Sequence, residues 1–370
     1  MTEPLPPLGR RHVLAWMTAP LLASGAGEAY AAATPPAVPP VAVAPVPAVP
    51  FPDGVTLLVA GPEGGTLCHW GEAVGAALGQ ALPASPKVRT NCAGGTDGVT
   101  GANQFEARVP PDGTTVLLTP GSAALDWLAG DPRTHFDAGR WVPVMAGITS
   151  AIVVAQQGIL PLKPGRTVRV AASGPVGPQL PAMLAFDGMG VHMVPVFGLI
   201  EQDAAIAAFT AGKVDAVLAC GTNVPQQVAR LRAAGGQPLF CLGGTSGANT
   251  PIRDARFGEL PTWAELHQSL HGTAPSGPRY DAYRAVAAAT QLEFGLVLSQ
   301  LTSAAMVALW RRAGEQAITT QSVQMLAKSS AVHPLDGVAA AAATASVAAD
   351  TAALIDLRGW LSNRLNWRPA

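Results

Sequence analysis

The chain has 370 residues, of which 49% are hydrophobic and 13% charged, with 40 glycines and 34 prolines. This composition suits a globular protein with long loops, and at roughly 100–200 residues per domain it predicts two domains. A formal net charge of −1 leaves no basic surplus for nucleic acid or an anionic membrane, so the expected partner is a small molecule.

Residues 1–33 read as an export signal peptide. Arg10 and Arg11 precede the moderately apolar stretch VLAWMTAPLLASGAG, and Ala29 and Ala31 form a small-residue cleavage pattern before Ala32. RRHVLAW also reads as a twin-arginine signal with an imperfect flank, an ordinary secretory signal being the alternative. Either route delivers the protein to the periplasm. The apolar run falls short of the ~20 residues that a membrane span needs. Residues 34–52, TPPAVPPVAVAPVPAVPFP, favour extended polyproline conformations and form a semi-rigid linker in front of the folded part.

Strand-like apolar runs follow at 55–60, 114–120, 150–157, 166–173, 215–220 and 237–244. Between them lie stretches such as 67–82 and 201–212, in which Ala, Leu and Ile recur at helical spacing. Alternation of this kind predicts an α/β protein with a mainly parallel sheet. After about residue 280 the composition becomes that of Ala-rich helix, punctuated by Pro334 and Gly337, with no strand candidate. The alanine run at 339–343 is flanked by Asp336, Asp350 and Asp356, which predict a packed helix rather than a membrane span.

Three Gly-rich turns follow strands or precede helices: GPEGGT (61–66), NCAGGTDGVTGANQF (91–105) and AASGPVGPQLPAMLAF (171–186). Glycine lets backbone N–H groups approach a ligand, and a helix N-terminus adds unsatisfied donors and partial positive charge, so these turns are candidate anion sites without Lys or Arg. No G-x-S-x-G, H-E-x-x-H or P-loop pattern occurs, so no enzyme activity and no cofactor are expected. His69 lies beside the first turn without a nucleophile at a recognised spacing and is read as a helix-surface residue. Trp127, Trp141 and Trp263 are read as core or interdomain packing, Trp310, Trp360 and Trp367 as packing of the helical end, and Asp215 as the start of a strand.

The four cysteines, Cys68, Cys92, Cys220 and Cys241, lie in the exported part, where disulfides are permitted. They allow three pairings, among which the sequence does not choose; the local pairs Cys68–Cys92 and Cys220–Cys241 are favoured. None has C-x2-C spacing, so no metal site is expected.

The order of motifs resembles the Bug-type receptors, the TctC-like extracytoplasmic solute-binding proteins of tripartite tricarboxylate transporters. GPEGGTLCHWGEAVGAALGQAL is similar to the loop and helix that open that family. TNCAGGTDGVTGANQFEARVPPDGTTVLLTP resembles its second segment, WVPVMAG its F-x-P-V strand entry, HMVPVFGLIEQDAAIAAFTAGKVDAVL its H-V-P-Y-K-G…A-G-x-V-D segment, and ELPTWAEL its L-P-D-V-P-T-x-x-E. The resemblance implies a two-lobed periplasmic-binding-protein fold of the second type, with lobe 1 formed by 53–152 and 256–370 and lobe 2 by 153–255. It also implies a solute, usually a small carboxylate, held in the cleft by backbone amides and passed to membrane transporter subunits by a monomeric receptor. The contacts then fall at Gly64, Gly65 and Thr66, at Gly94, Gly95 and Thr96, at Ser173, Gly174 and Gly177, and at Val196, Phe197 and Gly198.

The departures from the family pattern run in one direction. Cys68 stands where the family has Asp, Glu72 replaces an Arg, Pro178 and Leu180 replace a Ser and a His, and Val196-Phe197 replace Tyr-Lys. Each makes the cleft more apolar or less cationic, and an inward Glu63 would repel a carboxylate more strongly as water leaves. A less polar metabolite is therefore expected beside the organic acid. On the resembled fold Cys68 and Cys92 line one side of the cleft and can be bridged, two buried thiols being the alternative. From other classes, the alternatives are a divergent binding fold with a structural, sensory or interaction role, and a periplasmic enzyme using the same cleft.

Overall fold

A computed structural model describes residues 51–245 and 251–369. The signal peptide of 1–33 and all but residues 51–52 of the Pro-rich linker lie outside the described residues.

The elements run β1 (Val55–Val59), α1 (Thr66–Ala81), β2 (Val88–Cys92), α2 (Val99–Arg108), β3 (Thr115–Thr119), α3 (Gly121–Ala129), β4 (Val142–Ile148) and β5 (Ile152–Gln156). Next come β6 (Thr167–Ala171), α4 (Leu180–Gly188), β7 (His192–Val196), α5 (Gln202–Thr210), β8 (Ala216–Ala219), α6 (Val224–Ala233), β9 (Gly236–Cys241) and the short pair β10 (Gly244–Thr245) and β11 (Pro251–Ile252). The chain ends with α7 (Trp263–His271), α8 (Pro278–Gln291), β12 (Leu292–Leu298), α9 (Ala304–Ala317), α10 (Gln321–Ser330), β13 (His333–Leu335), α11 (Gly337–Thr344) and α12 (Thr351–Leu365).

Two sheets carry the two lobes of an α/β protein, a six-stranded one ordered β13-β4-β12-β3-β1-β2 and a five-stranded one ordered β7-β6-β8-β5-β9. Parallel strand pairs run through β2-β1-β3 and β7-β6-β8, with one isolated parallel bridge between Cys241 and Thr262. The strands next to the crossings between lobes pair antiparallel, so the sheets are mixed where the composition predicts a mainly parallel one. The six strand-like runs predicted from the sequence all form strands.

The connectivity fixes which ends of the sheets meet. Only three residues separate the end of β4 from the start of β5. Because β5 runs antiparallel to β8, and β8 parallel to β6, the start of β5 lies level with the ends of β6 and β8. By the same reasoning β4 runs parallel to β3 through their shared antiparallel neighbour β12. The C-terminal ends of the parallel strands, where loops and helix N-termini gather, therefore face each other across the crossing.

One continuous core joins Leu125 and Leu128 of α3, Val153 of β5, Met183 and Phe186 of α4, Val286 of α8 and Trp360 and Leu361 of α12. Asp350 caps α12 by accepting from Ala353 N, and Asp336 caps α11 by accepting from Val338 N and Ala339 N. Among the described residues no single helix is long and apolar enough to cross a membrane.

The sequence reading misses β12. LEFGLVL sits between helical stretches and is apolar almost throughout because it occupies the middle of a sheet, with Phe294, Leu296 and Leu298 fully buried. A run buried on both faces carries no alternation to mark it as strand.

Of the two favoured cysteine pairings, Cys68–Cys92 forms, with the Cα atoms 6.0 Å apart. Cys220–Cys241 does not; both thiols are free. Ile152 of β5 pairs with Ala219 on one side and with Cys241 on the other. A whole strand thus separates the two cysteines, a span of about 9–10 Å at the usual strand spacing, beyond the reach of a disulfide.

Candidate functional site

The first two Gly-rich turns rise side by side from neighbouring strands. The turn 61–65 leads from β1 into α1, whose N-cap, Gly65, has no side-chain cap. The turn 93–98 leads from β2 into α2. The disulfide ties the first turn of α1 to the last residue of β2, fixing one turn against the other. Gly101 makes the placement possible: a Cβ there would lie 2.6 Å from Ala60 Cα, so α2 starts directly over the end of β1. Ser122, opening α3, donates its hydroxyl to Asp97 O at 3.1 Å and to Thr96 O at 3.4 Å, tying the second turn to the end of β3.

In the other lobe the third turn folds around Gln179. Its side-chain oxygen accepts from Ser173 N at 3.2 Å and from Ser173 Oγ at 3.0 Å. The segment after β7 lies against it: Gly198 N donates to Ser173 O and Leu199 N to Ala172 O. Phe197 is 43% exposed and Ile200 73%, giving this wall an apolar face.

The structure therefore sorts the sequence-predicted contacts into two groups. Gly64, Gly65, Thr66, Gly94, Gly95 and Thr96 gather on one lobe, and Ser173, Gly174, Gly177, Val196, Phe197 and Gly198 on the other. Among the described residues no hydrogen bond joins the two groups. Among the described residues the amides of Gly64, Thr66, Gly94, Gly95, Thr96, Gly174 and Gly177 have no acceptor, and neither do the hydroxyls of Thr66 and Thr96. Gly65 N, Gly198 N and Ser173 Oγ are engaged internally, with Pro62 O, Ser173 O and Gln179 respectively.

The charge near the loops is acidic. Asp97 accepts from Val99 N at 3.2 Å, placing a carboxylate of the protein itself at the N-terminus of α2. Arg133 then holds that carboxylate at 2.7 Å, while also binding Asp131 at 2.8 Å and lying 3.7 Å from Asp126. Burial, reinforced by Asp131, pushes the Asp126 carboxyl up to about 7 against the pull of Arg133. Segments 61–66, 93–98, 172–179, 196–201 and 220–223 contain no Lys or Arg.

Sequence reasoning missed Glu293. It stands at the start of β12, where the register with β4 shifts between Leu292 and Phe294. Gly295 faces Thr119, the last residue of β3, so Glu293 lies beyond the end of β3, level with the start of α3 and towards the cleft. It is half-buried and, among the described residues, makes no hydrogen bond or ion pair. Its charge acts on the Cys220 thiol, at the end of β8 in the other lobe. Only the missed strand hides this residue from the sequence: read as helix, LEFGLVL gives no reason to place its glutamate anywhere.

His69 is exposed and Trp141, Trp263, Trp310 and Trp360 are buried, as the sequence predicts. A pocket of about 470 Å³ has none of the loop residues in its lining, which includes Thr149 and Ser150 of the crossing between β4 and β5. Alanines of α8 and α11 wall much of it. Two of its polar groups are engaged: Gln291 donates to Gly243 O and Ala287 O, and Tyr283 donates to Leu242 O. The facing loops, with their free amides, are the stronger candidate for ligand contact.

These features define the class: two lobes on mixed sheets, joined by short crossings, with helix N-termini and Gly-rich turns facing each other, as in type II periplasmic binding proteins. Among solved structures the chain is similar to a TctC solute-binding protein from Polaromonas, with a TM-score of 0.61 at 17% identity, covering 84% of this chain and 98% of that one. MatC from Rhodopseudomonas palustris with bound malate gives a TM-score of 0.48 at 17% identity over 85% and 99% of the two chains. The periplasmic binding protein BugD gives 0.45 at 15% identity over 84% and 95%. No family model matches the sequence, and no curated protein matches it. The likeness is one of fold.

Proposed function

We propose that this protein is an extracytoplasmic, non-enzymatic solute-binding receptor. It takes a small organic solute into the cleft between a lobe of residues 53–152 with 256–370 and a lobe of residues 153–255, and hands it to a membrane transporter. The observation that carries this reading is the set of free amides at Gly64, Thr66, Gly94, Gly95, Thr96, Gly174 and Gly177, on two facing loop groups of a two-lobed fold. Such amides bind a carboxyl, carbonyl or hydroxyl oxygen without a cation. Closing the lobes removes water and strengthens each bond.

Support for a solute less acidic than a di- or tricarboxylate comes from the same loops. They lack Lys and Arg, and Asp97 already lies at the N-terminus of α2. The exposed Phe197 and Ile200 offer apolar contact in place of charge.

Calorimetric titration of the purified protein with monocarboxylates, amino acids and neutral amides tests this reading. Saturable one-to-one binding is expected. Replacing both Thr66 and Thr96 by Val should weaken it about three- to tenfold per hydrogen bond lost, at about 1 kcal/mol each. Binding that the double replacement leaves unaltered would move the site away from these loops.

A further inference from the structure

We propose that Glu293 selects the solute, and that the solute carries a protonated nitrogen that ends beside this carboxylate while its oxygen-bearing end meets the loop amides. The inference rests on the receptor reading above and adds a ligand class and a residue to it.

Position is the first argument. Glu293 stands at the start of the strand next to β3, at the end of the sheet from which the ligand loops rise, and its charge reaches the Cys220 thiol of the opposite lobe. The register shift beside it in the β12–β4 pairing is a local irregularity of the kind that re-aims a side chain.

Chemistry is the second argument. A carboxylate withdrawn from water without a partner is costly, and protein interiors pair such groups or hydrogen-bond them. Among the described residues Glu293 has neither kind of partner, whereas other partly buried acids have one, as Asp97 and Asp131 have in Arg133. Burial pushes the Glu293 carboxyl up, and burial together with Glu293 pushes the Cys220 thiol up to about 12, so this thiol is neutral at physiological pH and adds no second negative charge. Glu63 adds an exposed carboxylate on the first turn. An ammonium entering this space supplies the missing partner, and closure strengthens the pair by excluding water. A dianionic solute would find two carboxylates and no cation on the loops.

The test compares matched probes by calorimetry on the purified protein, Glu293→Gln and, as a control, Glu315→Gln on the exposed surface of α9. The probes are 4-aminobutyrate and 4-amino-1-butanol, each with an ammonium and an oxygen-bearing end, against butyrate, 1-butanol and succinate. The expected result is saturable binding of at least one nitrogen-bearing probe, tighter than its nitrogen-free counterpart. Glu293→Gln should weaken that probe tenfold or more without lowering the melting temperature of the free protein, and Glu315→Gln should change nothing. Tighter binding of butyrate or succinate, or nitrogen-bearing probes indifferent to Glu293→Gln, overturns the inference and leaves the receptor reading standing. Absence of saturable binding by every probe overturns both.

Discussion

At the scale of single residues, the second turn is held by a compact charge cluster. Arg133 reaches three acids at once, and its hold on Asp97 fixes the turn that carries Gly94, Gly95 and Thr96. Asp126 is the member least well served: only 14% of its side chain is exposed, and its nearest guanidinium nitrogen is 3.7 Å away. Its carboxyl is raised from the ordinary 3.8 to about 7, so the folded state holds a proton there that the unfolded chain releases. For an acid whose folded value is raised, stability falls as pH rises through this window. Asp126→Asn should therefore match the unaltered protein near pH 4 and exceed it by ~1–3 kcal/mol at pH 8, read from urea midpoints at the two pH values. Equal differences at both pH values would show that Asp126 is ionised throughout. None of this cluster is legible in the sequence, because Asp97 and Arg133 lie 36 residues apart and meet only through the packing of α2 against α3.

At the scale of elements, the link between α1 and β2 sets the geometry of the first two Gly-rich loops. The Cys68–Cys92 bond closes a loop with a sequence separation of 24, for which the chain-entropy account gives about 3 kcal/mol of stabilisation. Cys68→Ser with Cys92→Ser should lower the urea midpoint accordingly and broaden loop motion seen by amide exchange, whereas Cys220→Ser should leave the midpoint within about 1 kcal/mol. Close packing sets the junction of α3 with α8. A Cβ on Gly121 would lie 2.0 Å from Ala289 O and 2.6 Å from Leu292 O. Gly121→Ala should therefore cost at least about 1–3 kcal/mol, since the clash is with backbone that cannot swing aside. The elements legible in the sequence are those with a clean period or a turn to bound them, such as β1, α1 and β3. Those that escape it include β2 and β7, which lie outside the six strand-like runs, β12, apolar on both faces, and β13, only three residues long. The Cys220–Cys241 pairing fails for a related reason: closeness in sequence says nothing about a strand inserted between two others.

At the scale of the whole molecule, the arrangement is a pair of sheets whose loop-bearing ends meet across short crossings. The order of motifs along the chain carried this architecture, since a Gly-rich turn after a strand and before a helix constrains topology even where its side chains have changed. The likeness to the Polaromonas structure, a TM-score of 0.61 at 17% identity, is accordingly one of backbone path and not of side chains. The lobes share the core that joins α3, α8 and α12 to β5 and α4, and further hydrogen bonds link them: Asn223 N donates to Ser330 O at 3.0 Å, and Thr290 Oγ1 donates to Pro178 O at 3.2 Å. A solute seated between the loops would add contacts to both lobes at once and stabilise the folded state by mass action. Thermal unfolding of the purified protein, titrated with small solutes sorted into amines, amino acids, neutral amides and carboxylates, tests this most directly. The account predicts a melting temperature that rises with solute concentration as linkage to a single site requires, for members of at least one class. No rise with any class up to millimolar concentration would contradict it.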